Sequence, residues 1–216
     1  FSLGGFLELL DSEDLDEETR REFLTTMREQ VVRLEKLATD LLDLSRLDAG
    51  HIALDREAVA LDEVARTAAE EFAAVALQSG HGLEVTAPRP ALAIADEQRT
   101  LQVARLLVEN AIVHTPAGTN VRIDVTEERG HARLIVSDDG PGIDEEEAAN
   151  VFERFYRVDG AQASGSGLGL AIARDLARLM GGTLELDRGA GRTSFVLTLA
   201  AAAAPPPVRG SKAVPA

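Results

Sequence analysis

The chain has 216 residues, of which 45% are hydrophobic and 27% charged, and it contains no cysteine. This length fits one large or two small domains with a buried core, and the composition indicates a globular protein. The lack of cysteine excludes a disulfide framework, a thiolate metal site and a cysteine nucleophile. The net charge of −15 disfavours binding to the phosphate backbone of nucleic acids.

The sequence offers no signal for membrane insertion or secretion. No apolar run reaches the roughly 18 residues that span a bilayer. No basic segment precedes the apolar residues of the N-terminus, as a signal peptide would require. We therefore expect the chain as written to be cytoplasmic, and the absence of thiols agrees with that compartment.

The N-terminal part is predicted to be a helical hairpin. Residues 1–10 place their apolar side chains on one helical face and are interpreted as a truncated helix, followed by an acidic break with Ser12 and Asp16 as candidate caps. A long helix is predicted from Glu17 to Leu47, because seam residues recur in steps of four and three. The seam consists of Phe23, Met27, Gln30, Leu34, Leu37, Leu41 and Leu44. The short first helix cannot cover this stripe, so we expect residues 1–48 to form half of a dimeric four-helix bundle.

Residues 51–200 are predicted to mix strands and helices, because runs of alternating apolar residues are interspersed with runs at helical spacing. The predicted strands cover 51–59, 82–86, 91–95, 121–127, 132–138, 183–187 and 194–199. The predicted helices cover 61–76, 96–114 and 168–180, with a partly helical 144–155 and a loop at 156–167. This order predicts an α+β fold in which the helical hairpin precedes an α/β sandwich with helices on one face of a mixed sheet. The Ala- and Pro-rich residues 201–216 predict a disordered tail.

The first of four candidate motifs lies at the end of the helix predicted at 96–114. Asn110 precedes His114 by about one turn, so both side chains can face the same cleft. An asparagine carbonyl oxygen is a hard ligand of the kind that Mg²⁺ accepts. The alternative is a polar helix end that happens to hold these two residues.

The second motif is the turn of residues 138–143, directly after a predicted strand. Gly140 and Gly142 flank a proline and give a tight turn that lets a flat ring approach the backbone. The carboxylate of Asp138 at the strand end can accept a hydrogen bond from an exocyclic amine. The alternative is an ordinary strand-ending turn.

The third and fourth motifs follow in the chain. The run Phe-Glu-Arg-Phe-Tyr-Arg at 152–157 can anchor a mobile loop and place a cation over a phosphate, or it can be a hydrophobic staple for that loop. The run Gly-Ser-Gly-Leu-Gly-Leu at 165–170 opens a helix, where exposed backbone N–H groups receive phosphate. It is neither a dinucleotide fingerprint, since no parallel βαβ unit surrounds it, nor a Walker loop, since no GK[ST] follows.

The order of the four motifs, with a heptad helix upstream, resembles the sensor histidine kinases. These belong to the ATPase and kinase group that also contains gyrase, the 90-kDa heat-shock protein and the mismatch-repair ATPases. The resemblance covers about residues 1–200. It implies a kinase that uses ATP and Mg²⁺ to transfer the γ-phosphoryl group to a histidine and then to an aspartate of a response regulator docked on the bundle. It also implies a homodimer through residues 1–48 and a full-length parent that is an inner-membrane sensor.

The resemblance assigns roles to individual residues. Asn110 stands where the family coordinates Mg²⁺, Asp138 where it binds the adenine amino group, and Arg157 where an arginine reaches the γ-phosphate. Glu109 is a candidate for polarising the nucleophile. The other residues matched to nucleotide-binding positions are His114, Gly140, Gly142, Phe155, Tyr156, Gly165, Gly167, Leu168, Gly169 and Thr193.

The sequence departs from the family pattern at three of these neighbouring positions. Leu106 stands where a second asparagine is common, Val113 where lysine or arginine is common, and Arg192 where glycine is usual. The change at Val113 removes one phosphate-binding cation and leaves His114 as the side chain available for that task.

The family's phosphoacceptor motif, His-Glu-x-x-x-Pro, is absent from the chain, although Phe1–Phe6 looks like the segment that follows it. The four histidines are His51, His81, His114 and His131, and none is followed by the acid and proline. We therefore expect a fragment that carries the ATP-using half of the reaction without its acceptor. Two alternatives stay open: a related ATPase of the same fold, and a catalytically idle nucleotide-binding or regulator-docking scaffold.

Overall fold

The computed structural model describes residues 16–157, 166–189 and 191–202. In chain order its elements are α1 (Glu17–Asp48), β1 (Glu57–Ala60), α2 (Leu61–Gln78), β2 (Gly82–Thr86), β3 (Leu92–Ala95), α3 (Glu97–Val113), β4 (Asn120–Glu128), β5 (His131–Asp138), α4 (Glu145–Ala148), α5 (Gly169–Leu179), β6 (Thr183–Gly189) and β7 (Arg192–Ala200). The predicted helix at 1–10 lies outside the described residues, as does nearly all of the predicted tail. Within the described ranges, no helix is both long and apolar enough to cross a membrane.

Helix α1 is continuous over 32 residues, and both of its ends follow the prediction. Asp16 caps the N-terminus, because its carboxylate accepts a hydrogen bond from the backbone N–H of Thr19 at 2.8 Å. The helix ends before Gly50, whose φ of +64° is a left-handed conformation that glycine adopts without strain.

The strands form two sheets. Five strands lie in the order β2-β4-β5-β7-β6, with β2 and β4 parallel and the other neighbours antiparallel, which confirms the predicted mixed sheet. Strands β1 and β3 pair separately and antiparallel. The predicted strand at 51–59 was therefore too long at its start, because the four residues of β3 offer backbone partners only to Glu57–Ala60.

Helices α2, α3 and α5 pack against one face of the five-stranded sheet, where alternate residues of β4, β5 and β7 are buried. This alternation is the period-two pattern from which the strands were predicted. Burying one such large apolar side chain stabilises the fold by about 1.5–3 kcal/mol. The largest fully buried side chains include Leu107, Ile123, Leu134, Ile172, Leu176, Leu197 and Leu199.

Helix α1 packs along α5, and this contact divides the predicted apolar seam. Leu44 is buried, and Leu37 is partly buried against the core of the α/β part. Leu34 and Leu41 are 52% and 43% exposed. The exposed large apolar residues of α1 are Leu24, Val31, Val32, Leu34, Leu41 and Leu42.

Candidate functional site

A cavity of about 420 Å³ opens between α1, α3, the segment before residue 158 and the start of α5. A second space of about 40 Å³ adjoins it at the end of β5. Five residues line both, so the two spaces are parts of one site: Asn110, His114, Thr115, Gly142 and Ile143. The site has a small, deep end on the sheet and a wide end next to α1.

The structure brings most of the predicted site residues to this cavity. Its walls include Glu109, Asn110, His114, Asp138, Gly142, Tyr156, Arg157, Gly167, Gly169 and Thr193. Leu168 is instead fully buried in the core, and Phe155 is 59% exposed and does not line the cavity. Gly140 packs against Asp138 and does not itself line the cavity. Gly165 lies outside the described residues.

The deep end is built by two neighbouring strands. Asp138 on β5 is the register partner of Thr193 on β7, and the two residues are only 6% and 4% exposed. Burial raises the pKa of Asp138, and the nearby Asp139 carboxylate raises it further, against a hydrogen bond from the Gly140 N–H that lowers it. The pair thus presents a carboxylate and a hydroxyl at the closed end of the cavity.

Gly140 is required by the shape of this end. A Cβ at Gly140 would lie 2.8 Å from Cγ2 of Thr115 and 2.9 Å from Oδ1 of Asp138. The backbone N–H of Gly140 donates to the same Asp138 oxygen at 3.1 Å. The glycine therefore lets the turn fold closely over the Asp138 carboxylate, and its N–H group fixes the orientation of that carboxylate.

Of the two adjacent aspartates, only Asp138 faces the cavity. Asp139 accepts hydrogen bonds from the backbone N–H and the side-chain amide of Asn120, at 2.6 and 2.8 Å. These bonds lower the pKa of Asp139. Asp139 thus fixes the start of β4, and Asp138 is the carboxylate that lines the cavity.

The end of α3 supplies the middle of the site. Asn110 and His114 line both parts of the cavity, as their spacing predicted. Burial lowers the pKa of His114, the positive charge of Arg157 lowers it further, and Glu109 opposes both. His114 is therefore neutral at pH 7 and offers a hydrogen bond rather than a charge.

The glycine-rich segment closes the wide end. Gly167 has a φ of +70° and accepts a hydrogen bond from the Phe155 N–H at 2.9 Å. A Cβ at Gly167 would lie 2.9 Å from both the carbonyl carbon of Phe155 and the carbonyl oxygen of Tyr156. Helix α5 begins two residues later at Gly169, which lines the cavity. The N-terminus of the helix, where the first backbone N–H groups have no partner within the helix, therefore lies at the cavity.

The residues of the third motif lie in two different environments. The ring of Phe152 packs edge-on against Phe195 at 6.0 Å, with the Arg174 guanidinium 5.3 Å from its centre, which anchors the segment in the core. Tyr156 and Arg157 line the cavity.

Sequence reasoning missed the contribution of α1 to the site. Lys36 lines the cavity, and its Nζ lies 2.7 Å from Oε2 of Glu109. One turn later, Asp40 accepts a hydrogen bond from the Ser166 hydroxyl at 2.7 Å. At the helix end, Asp48 forms a bidentate pair with Arg154 at 2.6 and 2.8 Å. The sequence signal was weak: these three polar residues lie beside the apolar seam, but the turn between Asp40 and Asp48 carries the seam residue Leu44.

Comparisons with known proteins agree with this architecture. The chain matches the family described as Histidine kinase-, DNA gyrase B-, and HSP90-like ATPase over residues 95–203, and the His Kinase A (phospho-acceptor) domain over residues 2–50. It is 34% identical over 196 residues to the sensor-like histidine kinase SenX3 of Mycolicibacterium smegmatis, an alignment that covers 88% of this chain. The chain spans 50% of the length of SenX3.

Two solved structures are similar. Full-length ShkA in complex with AMPPNP has a TM-score of 0.71 and 32% identity, over 94% of this chain and 43% of ShkA. The histidine kinase AdeS of Acinetobacter baumannii has a TM-score of 0.75 and 24% identity, over 92% of both chains, and shows the shared fold. Since a phospho-acceptor domain and an ATPase domain follow each other in one chain, this protein belongs to the sensor histidine kinases of two-component signalling.

Proposed function

We propose that the cavity binds ATP with its adenine at the deep end and its phosphates at the wide end. The observation that carries this proposal is the continuity of the two spaces, because one end offers a buried carboxylate and the other a helix N-terminus. Asp138 accepts a hydrogen bond from the exocyclic amine, and Thr193 supports the same edge of the ring. The phosphates lie between Arg157 and the backbone N–H groups that follow Gly167.

Mg²⁺ is part of this proposal, and the wall of the cavity fits it. In nucleotide sites Mg²⁺ keeps several waters and is held by one or two protein oxygens plus the phosphates. Asn110 offers such an oxygen at the junction of the two spaces. Among the described residues, no group of three or more His, Cys, Asp or Glu side chains is placed to hold a metal ion. When bound, Mg²⁺ neutralises phosphate charge.

The proposed reaction is transfer of the γ-phosphoryl group to an imidazole nitrogen of a phospho-acceptor hairpin. Arg157 offsets the phosphate charge, and Glu109 can polarise the nucleophile once its carboxylate is free of Lys36. The phospho-acceptor family match covers residues 2–50, so the domain itself is present, and this match gives no support to the expected lack of an acceptor. Those residues contain no histidine. We propose that the accepting imidazole is none of the four in this sequence.

Further proposals concern domain limits, assembly and partners. We propose that residues 1–48 are the dimerisation part, that 51–200 are the ATP-binding domain and that 201–216 are a tail. The exposed apolar stripe of α1, which includes Leu34 and Leu41, supports a homodimer. The proposed second acceptor is the aspartate of a response regulator that docks on the helical bundle, and the proposed location of the whole sensor is the inner membrane.

A trans-phosphorylation assay tests the proposed reaction. The chain is incubated with γ-labelled ATP and a separate hairpin, made of residues 1–50 extended at the N-terminus by a His-Glu-x-x-x-Pro segment. We expect acid-labile label on the added hairpin, none on the chain alone, and none on the hairpin when the chain carries Asn110→Asp. Asn150→Asp is the matched control, since Asn150 is exposed and does not line the cavity.

The assay also separates the two alternatives. Release of labelled phosphate without label on the hairpin would favour an ATPase. Nucleotide binding without label or release would favour a scaffold, and label on the chain itself would overturn our assignment of the acceptor.

A further inference from the structure

Lys36 brings a positive charge from α1 to a cavity that otherwise belongs to the α/β part. Its ammonium is bound to Glu109, yet 36% of the side chain is exposed, and the residue lines the cavity wall. It is one of only two lysines in the sequence, the other being Lys212.

Binding of a triphosphate in the cavity requires more positive charge than the side chains of the α/β part provide. Among the cavity's described lining residues, only Lys36 and Arg157 carry a permanent positive charge. Val113, which also lines the cavity, carries no charge. A triphosphate keeps a net negative charge even with a divalent cation bound, so one arginine leaves part of that charge unbalanced.

The neighbouring turn of α1 fixes where this lysine lies. Asp40 is four residues after Lys36, so both project from the same side of the helix. Asp40 is bound to Ser166, which directly precedes Gly167 and the start of α5. Lys36 therefore lies at the end of the cavity where the proposed phosphates bind.

We propose that Lys36 is a phosphate-binding residue for ATP, supplied to the cavity by the helical part. On ATP binding the ammonium exchanges Glu109 for terminal phosphate oxygens, which also frees the Glu109 carboxylate. The nucleotide then bridges α1 and α5. This inference rests on the proposed ATP site.

Binding measurements with two nucleotides test the contact. Lys36→Ala should weaken binding of AMPPNP roughly tenfold, with a smaller loss for ADP, because the missing bond is to the terminal phosphate. Lys36→Arg should restore most of the difference. Asp43→Ala is the matched control: Asp43 holds α1 to Gln102 at 2.7 Å, and neither residue lines the cavity. Equal losses for both nucleotides, or the same loss in Asp43→Ala, would overturn the proposal.

A double-mutant cycle separates direct contact from charge neutralisation. If Lys36 only masks Glu109, adding Glu109→Gln to Lys36→Ala should restore AMPPNP affinity. If Lys36 contacts the phosphates, the double variant should stay weak and Glu109→Gln alone should bind at least as tightly as the unaltered chain. Restoration by the double variant would overturn the proposal.

Covalent labelling gives a readout that does not depend on substitution. In an ATP acyl-phosphate probe, a nearby amine attacks the acyl carbon, an amide forms, the acyl–phosphate bond breaks with ATP as the leaving group, and the amine proton goes to solvent. We expect mass spectrometry to find ATP-protected label on Lys36 and only unprotected label on Lys212. Equal labelling of Lys36 and Lys212 would contradict the proposal. If Asp138→Ala weakens ATP binding while Lys36→Ala changes nothing, only this inference fails. If Asp138→Ala is without effect, the ATP site itself is misassigned.

Discussion

Asp138 and Thr193 are direct register partners on β5 and β7, although they lie far apart in the sequence. Their side chains are both buried and both line the deep end of the cavity. An antiparallel pair places opposite residues on the same face, so this carboxylate and this hydroxyl lie side by side at the end of the cavity where we propose that adenine binds.

The first prediction concerns the stability cost of this carboxylate. Burial raises the pKa of Asp138, so the folded state holds the proton more tightly than the unfolded state. The stability that this group contributes is therefore full below the unfolded pKa and is lost as pH rises through the folded pKa. Asp138→Asn removes the titration and keeps an oxygen for the Gly140 N–H. Urea denaturation should show that the unfolding free energy of Asp138→Asn rises relative to that of the unaltered chain as pH increases from 4 to 7.

The Asp138 carboxylate, which costs folding stability, should by contrast increase the affinity for ATP. Asp138→Ala removes an ionised acceptor for the adenine amine, which costs on the order of 1.5–3 kcal/mol, or about tenfold to a hundredfold in affinity. Calorimetry with ATP measures this loss. Asp139→Ala serves as the control, since Asp139 does not line the cavity. An unchanged ATP affinity in Asp138→Ala would refute the adenine assignment.

A second prediction concerns proton uptake by His114. Its pKa is lowered by burial and by Arg157, so it is neutral before binding, and incoming phosphates favour the imidazolium form. ATP binding should therefore take up protons and tighten as pH falls toward 6. Calorimetry in two buffers of different ionisation enthalpy measures the uptake. His114→Gln should abolish it, and His131→Gln, at an exposed position in the β4–β5 hairpin, should not.

The unliganded chain should respond to pH in the opposite direction. Below about pH 6.5 the unfolded state binds a proton at this histidine more readily than the folded state. Stability should thus decrease as pH falls through that range, and less so in His114→Gln. An identical pH dependence in both chains would contradict the buried, neutral state of His114.

A third prediction uses two glycines with similar positive φ angles. Gly130 and Gly167 have φ of +79° and +70°, but a Cβ at Gly130 meets nothing within 4 Å. Gly130→Ala should cost only the left-handed strain of about 1–2 kcal/mol. Gly167→Ala adds a clash with the backbone of Phe155 and Tyr156, so it should cost more and also weaken ATP binding. Denaturation and calorimetry check both effects, and equal behaviour of the two variants would show that the close approach has no role.

A fourth prediction concerns the dimer. Leu34 and Leu41 are exposed on α1, whereas Leu37 is partly buried against the α/β part. Leu34→Asp should shift a dimer toward monomer, because it would bury a charge in an apolar interface. Leu37→Asp should mainly loosen α1 from α5. Sedimentation measures the mass, with Leu77→Asp on the exposed side of α2 as the control. An unchanged mass for Leu34→Asp at all concentrations would count against an interface on this stripe.

The sequence was sufficient wherever a local pattern encodes the structure. The spacing of Asn110 and His114 on one helix placed both at the cavity, and apolar alternation located β5 and β7 to within a few residues. Asp16 and Gly50 set the ends of α1 because capping depends on immediate neighbours. The excess length predicted for β1 arose because strand extent depends on a partner that local alternation does not reveal.

Only the tertiary structure decided which residues from separate elements meet. Heptad spacing treated Leu37 and Leu41 alike, but packing against α5 covers the first and leaves the second exposed. The family pattern pointed to the missing cation at Val113, and no local pattern could place Lys36 in the same cavity. The reason is physical: periodicity shows which face of a helix or strand is apolar, whereas the packing of the whole chain decides which faces of distant elements come into contact.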